Sequence, residues 1–356
     1  MVRWAVEAAR SPGEADVNRT IGAAAACALA AGLVAAGQGR DASQLLAGAR
    51  TALGGQKLDA VKTLTAAGRT VRALPNGTST ESEFEMALEL PDKYLMRSVL
   101  AAMGNMSVYR NSGFNGGQVI EEIDRPPSLA GGGVMHIRIA GPGGATDPEK
   151  MTADEKAAFD QKRLVQNRKE FAKLALGLFA ASPAAYPLEL ADAGQAESPD
   201  GKADVIDVKG EGGFTAKLFI DAETHLPLML SWMDKEPIVM TMGPGGTVMT
   251  GGTPAAGMAA GGNATFTRVE RSGSAPPTPE EREKMMKDLE ARRKEAEAKL
   301  RTVEYRLYYG DYKTVGGVQL PHRVQRSIDG KPTEEMIFDT IKVNPKIDAK
   351  KFQVAK

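Results

Sequence analysis

Apolar and polar residues alternate along 83–90, where Phe84, Met86, Leu88 and Leu90 are interleaved with Glu83, Glu85, Ala87 and Glu89. Side chains on an extended chain point alternately to opposite faces, so this spacing predicts a strand with one dry and one wet face. The period of two sets in from Thr70. After Pro91-Asp92, a turn signal, Tyr94–Val99 starts the next strand. Further strands are predicted near 106–111, 117–124, 134–139, 204–209, 214–220, 226–233, 318–328 and 334–343. The alternating Val303, Tyr305, Leu307 and Tyr309 mark one more. Helical spacing is rarer. Residues 42–53 read as a short helix stopped by Gly54-Gly55, and Leu58, Val61 and Leu64 extend a spacing of three, as in a second helical turn. Thr152-Ala-Asp-Glu155 has the form of a capping box and predicts a helix from there to about Ala181, ended before Pro183. Its second half is strongly apolar (Phe171, Leu174, Leu176, Leu178, Phe179) and needs a sheet or a cavity to lie against.

Two segments break this pattern. Residues 240–263 are a Gly/Met/Ala/Thr stretch without clear period, read as a flexible insertion extending to 277. Thr278-Pro279-Glu280-Glu281 then opens a second capped helix, to 301, with acidic and basic residues in near-equal number and a thin apolar stripe. It reads as a solvated spacer or as a weak face for an envelope protein partner.

The N-terminus changes the picture most. Residues 21–36 are uncharged, small and apolar, with Arg19 just before them. Sixteen residues suit the core of a secretory signal better than a membrane span, which needs about 20. Val34-Ala35-Ala36 offers small residues for cleavage, so residues 1–36 are read as a signal peptide and the protein as periplasmic or secreted, with outer-membrane association open. An uncleaved anchor helix is the alternative. Cys27, the only cysteine, follows three alanines and lacks the lead-in of a lipidation signal. Cleavage after Ala36 leaves no thiol and no disulfide. Lysine plus arginine equals aspartate plus glutamate at 45 each, so no global field draws the chain to nucleic acid or anionic lipid, which leaves only local patches open.

Catalytic patterns are missing. His136, His225 and His322 are far apart and none has a second ligand at helical spacing, so no metal site is assigned. There is no GxSxG elbow and no GxxxxGK[ST] phosphate loop. No carboxylate stands in an apolar setting that would raise its pKa, and Asp221 reads as a turn residue. The chain is therefore expected to be no enzyme, with no catalytic residue and no cofactor. Met229, Met233, Met240, Met242, Met249 and Met258 keep a second chemistry open, since thioether sulfur is a soft ligand suited to Cu(I). The alternative is that these methionines only fill apolar surface.

Several phrases resemble the LolA/LolB-like outer-membrane lipoprotein-sorting family. They are Ala52-Leu53-Gly54-Gly55 with Leu58, Val61 and Leu64; FEMALELPDKYLMRS (84–98); GFNGGQVIEE (113–122); KLFIDAETHLPLMLSW (217–232); and DYKTVGGVQLPHRVQRSIDGK (311–331) with IKVNPKIDAKKF (342–352). The resemblance covers most of 42–235 and 302–353. It implies a mainly β, α+β fold: a strongly curved antiparallel sheet, or incomplete β-barrel, covered by helices on its concave face. It also implies one such domain over 37–353, interrupted by the insertion at 240–277 and the charged helix at 278–301. Lipid acyl chains or a lipoprotein would be held in the apolar hollow, lined by Phe84, Met86, Leu88 and Leu90 on the sheet and by Phe171, Leu174 and Leu178 on the helix. An envelope scaffold using the same fold without a lipid is the alternative. Two positions depart from the family. Leu90 stands before Pro91 where carriers have the arginine that fastens the lid, and Val119 and Ile120 stand near where a tryptophan is usual.

Overall fold

The computed structural model describes residues 41–73, 77–103, 106–124, 152–199, 201–236, 238–243, 246–251, 291, 295 and 298–353. The expected signal segment, Cys27, the strand near 134–139 with His136, and most of 252–297 lie outside these residues.

Helix α1 (Ala42–Leu53) starts where the Asp41 carboxylate accepts from the Ser43 amide, and it buries Ala42, Leu46, Ala49 and Leu53 on one stripe. It stops at Gly54, whose φ of 141° excludes most other residues. The spacing of three that continues through Leu58, Val61 and Leu64 yields only one turn, α2 (Gln56–Asp59). The chain is already extended at Thr63, earlier than the expected Thr70. Small residues hide the change: Leu64, Ala66, Gly68 and Thr70 form the inward row of β1 (Thr63–Ala73), and Ala and Gly give no hydropathy contrast with their neighbours.

Four strands follow in a meander: β2 (Ser79–Glu89), β3 (Lys93–Met103), β4 (Met106–Asn115) and β5 (Gln118–Asp124). The long helix α3 (Ala153–Phe179) comes next. The Thr152 hydroxyl accepts from the Glu155 amide and the Glu155 carboxylate accepts from the Thr152 amide, the predicted capping box. Then come β6 (Leu188–Ser198), β7 (Gly201–Gly210), β8 (Phe214–Asp221) and β9 (Pro227–Lys235). The sequence reading lacks β6, because its alternation is weak and is interrupted at Gly194, where the ladder to β7 slips. The Asp221 turn is as predicted, with Oδ1 accepting from the amides of Glu223 and Thr224.

Residues 240–251, patternless by hydropathy, pair as a separate antiparallel hairpin of β10 (Ile238–Gly243) and β11 (Gly246–Gly251). Their β-branched Val and Thr residues suit strands although the hydropathy gives no period. The final strands are β12 (Thr302–Val315), β13 (Val318–Ile328) and β14 (Lys331–Val343).

Twelve strands make one antiparallel sheet in the order β5-β4-β3-β2-β1-β14-β13-β12-β9-β8-β7-β6. The pairing of β1 with β14 joins the first described strand to the last. The two outer strands, β5 and β6, do not pair with each other, so among the described residues the sheet does not close.

How far it curves is shown by α3. Phe171 lies 5.7 Å from Phe114 of β4, ring to ring, while Lys173 Nζ lies 4.4 Å over the Trp232 ring of β9. These strands are seven places apart in the sheet, about 34 Å if it were flat. Residues two apart on a helix reach both only because the sheet wraps around them. Glycine permits the tightest approaches. A Cβ on Gly68 would stand 2.0 Å from the Ile337 carbonyl oxygen, beside the slip in the β1–β14 register, and one on Gly113 would stand 2.0 Å from that of Tyr94.

Residues 171–180 of α3 and its end are all buried in this hollow. Gly177 lets the helix sit on Tyr309: an added Cβ would come 2.3 Å from the ring, and that ring is held by its hydroxyl donating to the Lys173 carbonyl at 2.5 Å. Arg50 of α1 donates to the Phe179 carbonyl at 2.9 Å and fastens the end of α3. On the outer face a smaller cluster forms, where Phe352 near the C-terminus covers Ala87, Leu95 and Ile120. That is why Ala87 is buried although it sits in the outward phase of β2.

Two glycine substitutions should separate these effects. Gly177→Ala gains about 1 kcal/mol of helix propensity but overpacks against a fixed ring, at about 1–3 kcal/mol. It should lower the urea midpoint. Gly48→Ala, in α1 with open space around it, should raise it by about 0.5–1 kcal/mol. Equal midpoints for the two variants would show that α3 is not seated on Tyr309.

Candidate functional site

The concave face changes character along the strands. On β1 the inward row runs from Leu64 and Ala66 through Thr70 to Arg72. On β3 it runs Tyr94, Met96, Ser98, and on β4 Phe114, Ser112, Arg110. Register aligns these steps. Thr70 pairs with Met336 and Met336 with Val324, while Arg72 pairs with Glu334 and Glu334 with Arg326. An apolar row therefore lies beside a charged row across three neighbouring strands.

The apolar half of α3 covers one end of the hollow. Its N-terminal half, more polar, spans the other end and leaves a cavity of about 230 Å³. Phe84, Tyr94, Met96, Leu174, Leu307, Val324 and Met336 form its apolar wall. Six cationic side chains share the space: Arg72, Arg110 and Arg326 from the sheet, and Lys162, Arg163 and Lys173 from α3. Among the described residues only three carboxylates face them, Glu121, Glu170 and Glu334. Lys162 is exposed and Phe159 half-buried, so the cavity reaches the surface beside the first turns of α3.

Each carboxylate is engaged. Glu334 accepts from Arg72 Nε at 2.7 Å. Glu121 is held between Arg110 at 2.6 Å and Arg163 at 3.1 Å. Glu170 accepts from Lys173 Nζ at 2.8 Å and from Gln166 at 2.9 Å, with Arg326 at 3.6 Å. Burial alone would raise the Glu170 pKa, but Lys173 and Arg326 outweigh it and hold the carboxyl below its ordinary range. Glu334 behaves likewise, with burial opposed by Arg72 and Arg326. Lys173 is pushed down to about 8, chiefly by burial and against the pull of Glu170. Arg326 is incompletely satisfied, since its Nε is buried without a hydrogen-bond partner among the described residues. Asn167 and Arg168 donate to the carbonyls of Gly113 and Gly116, each at 2.9 Å, and pin α3 to the β4–β5 hairpin beside the cavity.

Of the seven residues singled out in the sequence, Phe84 and Leu174 line this cavity. Met86, Leu88, Phe171 and Leu178 are buried in the core that α3 fills, and Leu90 packs half-buried against it. The charged wall went unnoticed in the sequence, although Arg72 stands in phase with Thr70 and Arg326 with Val324. A charge on the inward phase of a strand is the signal that finds such a wall.

His322 is buried, with Nδ1 3.0 Å from the Leu320 carbonyl oxygen, and His225 is exposed in a turn at φ 59°. Among the described residues no three His, Cys, Asp or Glu side chains gather where a metal could be held. None of the described helices is long and apolar enough to cross a membrane.

The acid and alkaline limbs of stability should report on different groups. Glu170 and Glu334 have lowered folded pKa values. Their contribution is complete above the unfolded value, about 4.5, and is lost as pH falls through the folded ones. Lys173 acts in the other window. Between about 8 and 10.5 the unfolded chain binds more protons there, so its contribution makes stability rise with pH. Urea titrations across both windows should show a shallower acid limb for Glu334→Gln and a lost alkaline rise for Lys173→Met. Unchanged limbs would mean that these groups are hydrated.

No family model matches the chain, and no curated protein matches it. Solved structures do. A LolA superfamily protein from Nitrosomonas europaea aligns over 88% of this chain and 98% of its own, at 8% identity and a TM-score of 0.41. An outer membrane lipoprotein-sorting protein domain from Vibrio parahaemolyticus aligns over 88% and 97%, at 8% identity and 0.39. A DUF1329 family protein from Desulfovibrio piger aligns over 88% and 97%, at 6% identity and 0.41. Two of the three carry by name the family that the sequence motifs resemble. Such low identities and scores assign no ligand, so the chemistry of the hollow has to come from its own residues.

Proposed function

We propose that this chain is a non-catalytic, exported envelope protein that holds the hydrocarbon of a lipid or lipoprotein in the hollow between its sheet and α3. The observation that carries the reading is the cavity itself: a surface-reaching space with an apolar wall built from three regions of one curved sheet and one helix. The sequence motifs and the apolar segment at 21–36 support the family and the export.

The volume limits what can enter. At about 230 Å³ the cavity falls below the usual ligand range of about 300–1,000 Å³. On the scale of a small molecule such as water, about 30 Å³, it takes roughly seven methylenes of one chain. At about 0.8 kcal/mol each they supply at most ~5.6 kcal/mol, a Kd near ~0.1 mM. Phe84 and Leu174 touch such a chain. Met86, Leu88, Leu90, Phe171 and Leu178 back the wall and are reached only if α3 lifts.

A fluorescent fatty-acyl probe should bind the purified protein with a Kd of about 0.1 mM, and native mass spectrometry after mild purification should show co-purified lipid. Met96→Trp with Met336→Trp, which fills the cavity from two strands, should weaken the probe at least about tenfold while circular dichroism stays unchanged. A wild-type protein that binds no acyl probe and carries no lipid would refute the reading.

A further inference from the structure

We propose that the ligand of this hollow is a single-chain amphiphile whose head is an oxyanion, a carboxylate or a phosphate, seated against Arg326 and the charged row beside it. This rests on the acyl-holding function proposed above and adds the chemistry of the head.

The charge count carries the inference. Among the described residues, Arg72, Arg110, Lys162, Arg163, Lys173 and Arg326 line the cavity against three carboxylates, an excess of three positive charges around one small space. Surplus charge of one sign beside an apolar wall is unfavourable unless an opposite charge joins it. The three carboxylates cannot supply that, since each already has a cationic partner within 2.8 Å. Lys162 has no ion-pair partner among the described residues and stands where the cavity meets the surface.

Arg326 is the best-placed seat. Its side chain is largely buried yet makes no hydrogen bond among the described residues, and its nearest carboxylate contact, from a terminal guanidinium nitrogen to Glu170 at 3.6 Å, is longer than a hydrogen bond. A guanidinium presents donors in a planar fork that matches both carboxylate and phosphate.

The arrangement of rows places head and tail. Arg72, Glu334 and Arg326 form one cross-strand row, and Thr70, Met336 and Val324 form the next. A head at Arg326 puts the first methylenes over Val324 and Met336 without a gap, and Leu174 and Phe84 continue the apolar wall. Ser98 and Ser112 of β3 and β4 add hydroxyl groups to the cavity lining. A neutral amphiphile offers the Arg326 guanidinium no charged acceptor.

The test compares octanoate, octyl phosphate, 1-octanol and inorganic phosphate as competitors of the fluorescent acyl probe on the full chain at pH 7. Octanoate and octyl phosphate should displace the probe at concentrations at least about tenfold below 1-octanol. Inorganic phosphate alone should compete far more weakly than octyl phosphate. In Arg326→Gln the preference for octanoate over 1-octanol should shrink to within about threefold. Should that variant fold poorly, a salt titration of the wild type gives the same readout. Salt should weaken octanoate and spare 1-octanol, because screening acts on the charged head only.

Equal displacement by octanoate and 1-octanol, both binding, overturns the anionic head and leaves the acyl reading standing. Inorganic phosphate competing as well as octyl phosphate overturns the amphiphile and makes the hollow a free-anion site. Failure of the probe itself to bind the wild type overturns the acyl reading instead, so the two failures are distinguishable.

Discussion

A curved sheet of twelve strands that does not close has more concave face than its own side chains can fill, and the burial of residues 171–180 in that hollow governs most of the remaining structure. The helix reaches strands seven places apart in the sheet, through Phe171 on β4 and Lys173 on β9. It therefore acts as the filling that the missing closure leaves out. Gly177 sets how deep it lies, and the Tyr309 hydroxyl on the Lys173 carbonyl holds it there. Removing apolar surface from water drives this seating, while the few polar fastenings fix its register.

The same helix is uneven, and the unevenness makes the cavity. Its buried half packs tightly against Tyr94, Phe114 and Trp232. Its first half carries Lys162, Arg163, Gln166, Asn167 and Glu170 toward strands whose inward rows have turned polar at the same level. Polar side chains on both walls prevent a dry, close-packed contact, and space remains between them. The ion pairs there are partly buried and mutually dependent: Glu170 faces Lys173 and Arg326, and Arg326 lies between the fields of Glu170 and Glu334. Such a network favours a position for each group without adding much net stability. Its surplus of positive charge is the feature least explained by folding alone.

Much of this architecture was legible along the chain. The strict alternation at 84–90 and 303–309 announced strands with one buried face, the Thr152–Glu155 box announced α3, and the apolar second half of α3 announced a hollow to receive it. Ala66 and Gly68 hid the start of β1, and Gly194 hid β6, because residues of small hydropathy contrast carry no period. Residues 240–251 hid a hairpin for the same reason. For the site, reading apolar inward positions found Phe84 and Leu174 but gave equal weight to Met86, Leu88, Phe171 and Leu178, which the helix itself covers.

The sequence by itself determined half-buried strands, an apolar helix and the need for one to cover the other, since each follows from local period and from the cost of leaving apolar faces in water; the antiparallel pairing was implied only by the family resemblance. Only the tertiary structure decided which part of the hollow stays open and what lines it. Arg72, Arg110, Lys173 and Arg326 lie far apart in the chain, and their convergence depends on strand order and register. No local pattern encodes the charge that results when β1, β4, β13 and α3 turn the same level of their faces toward one space.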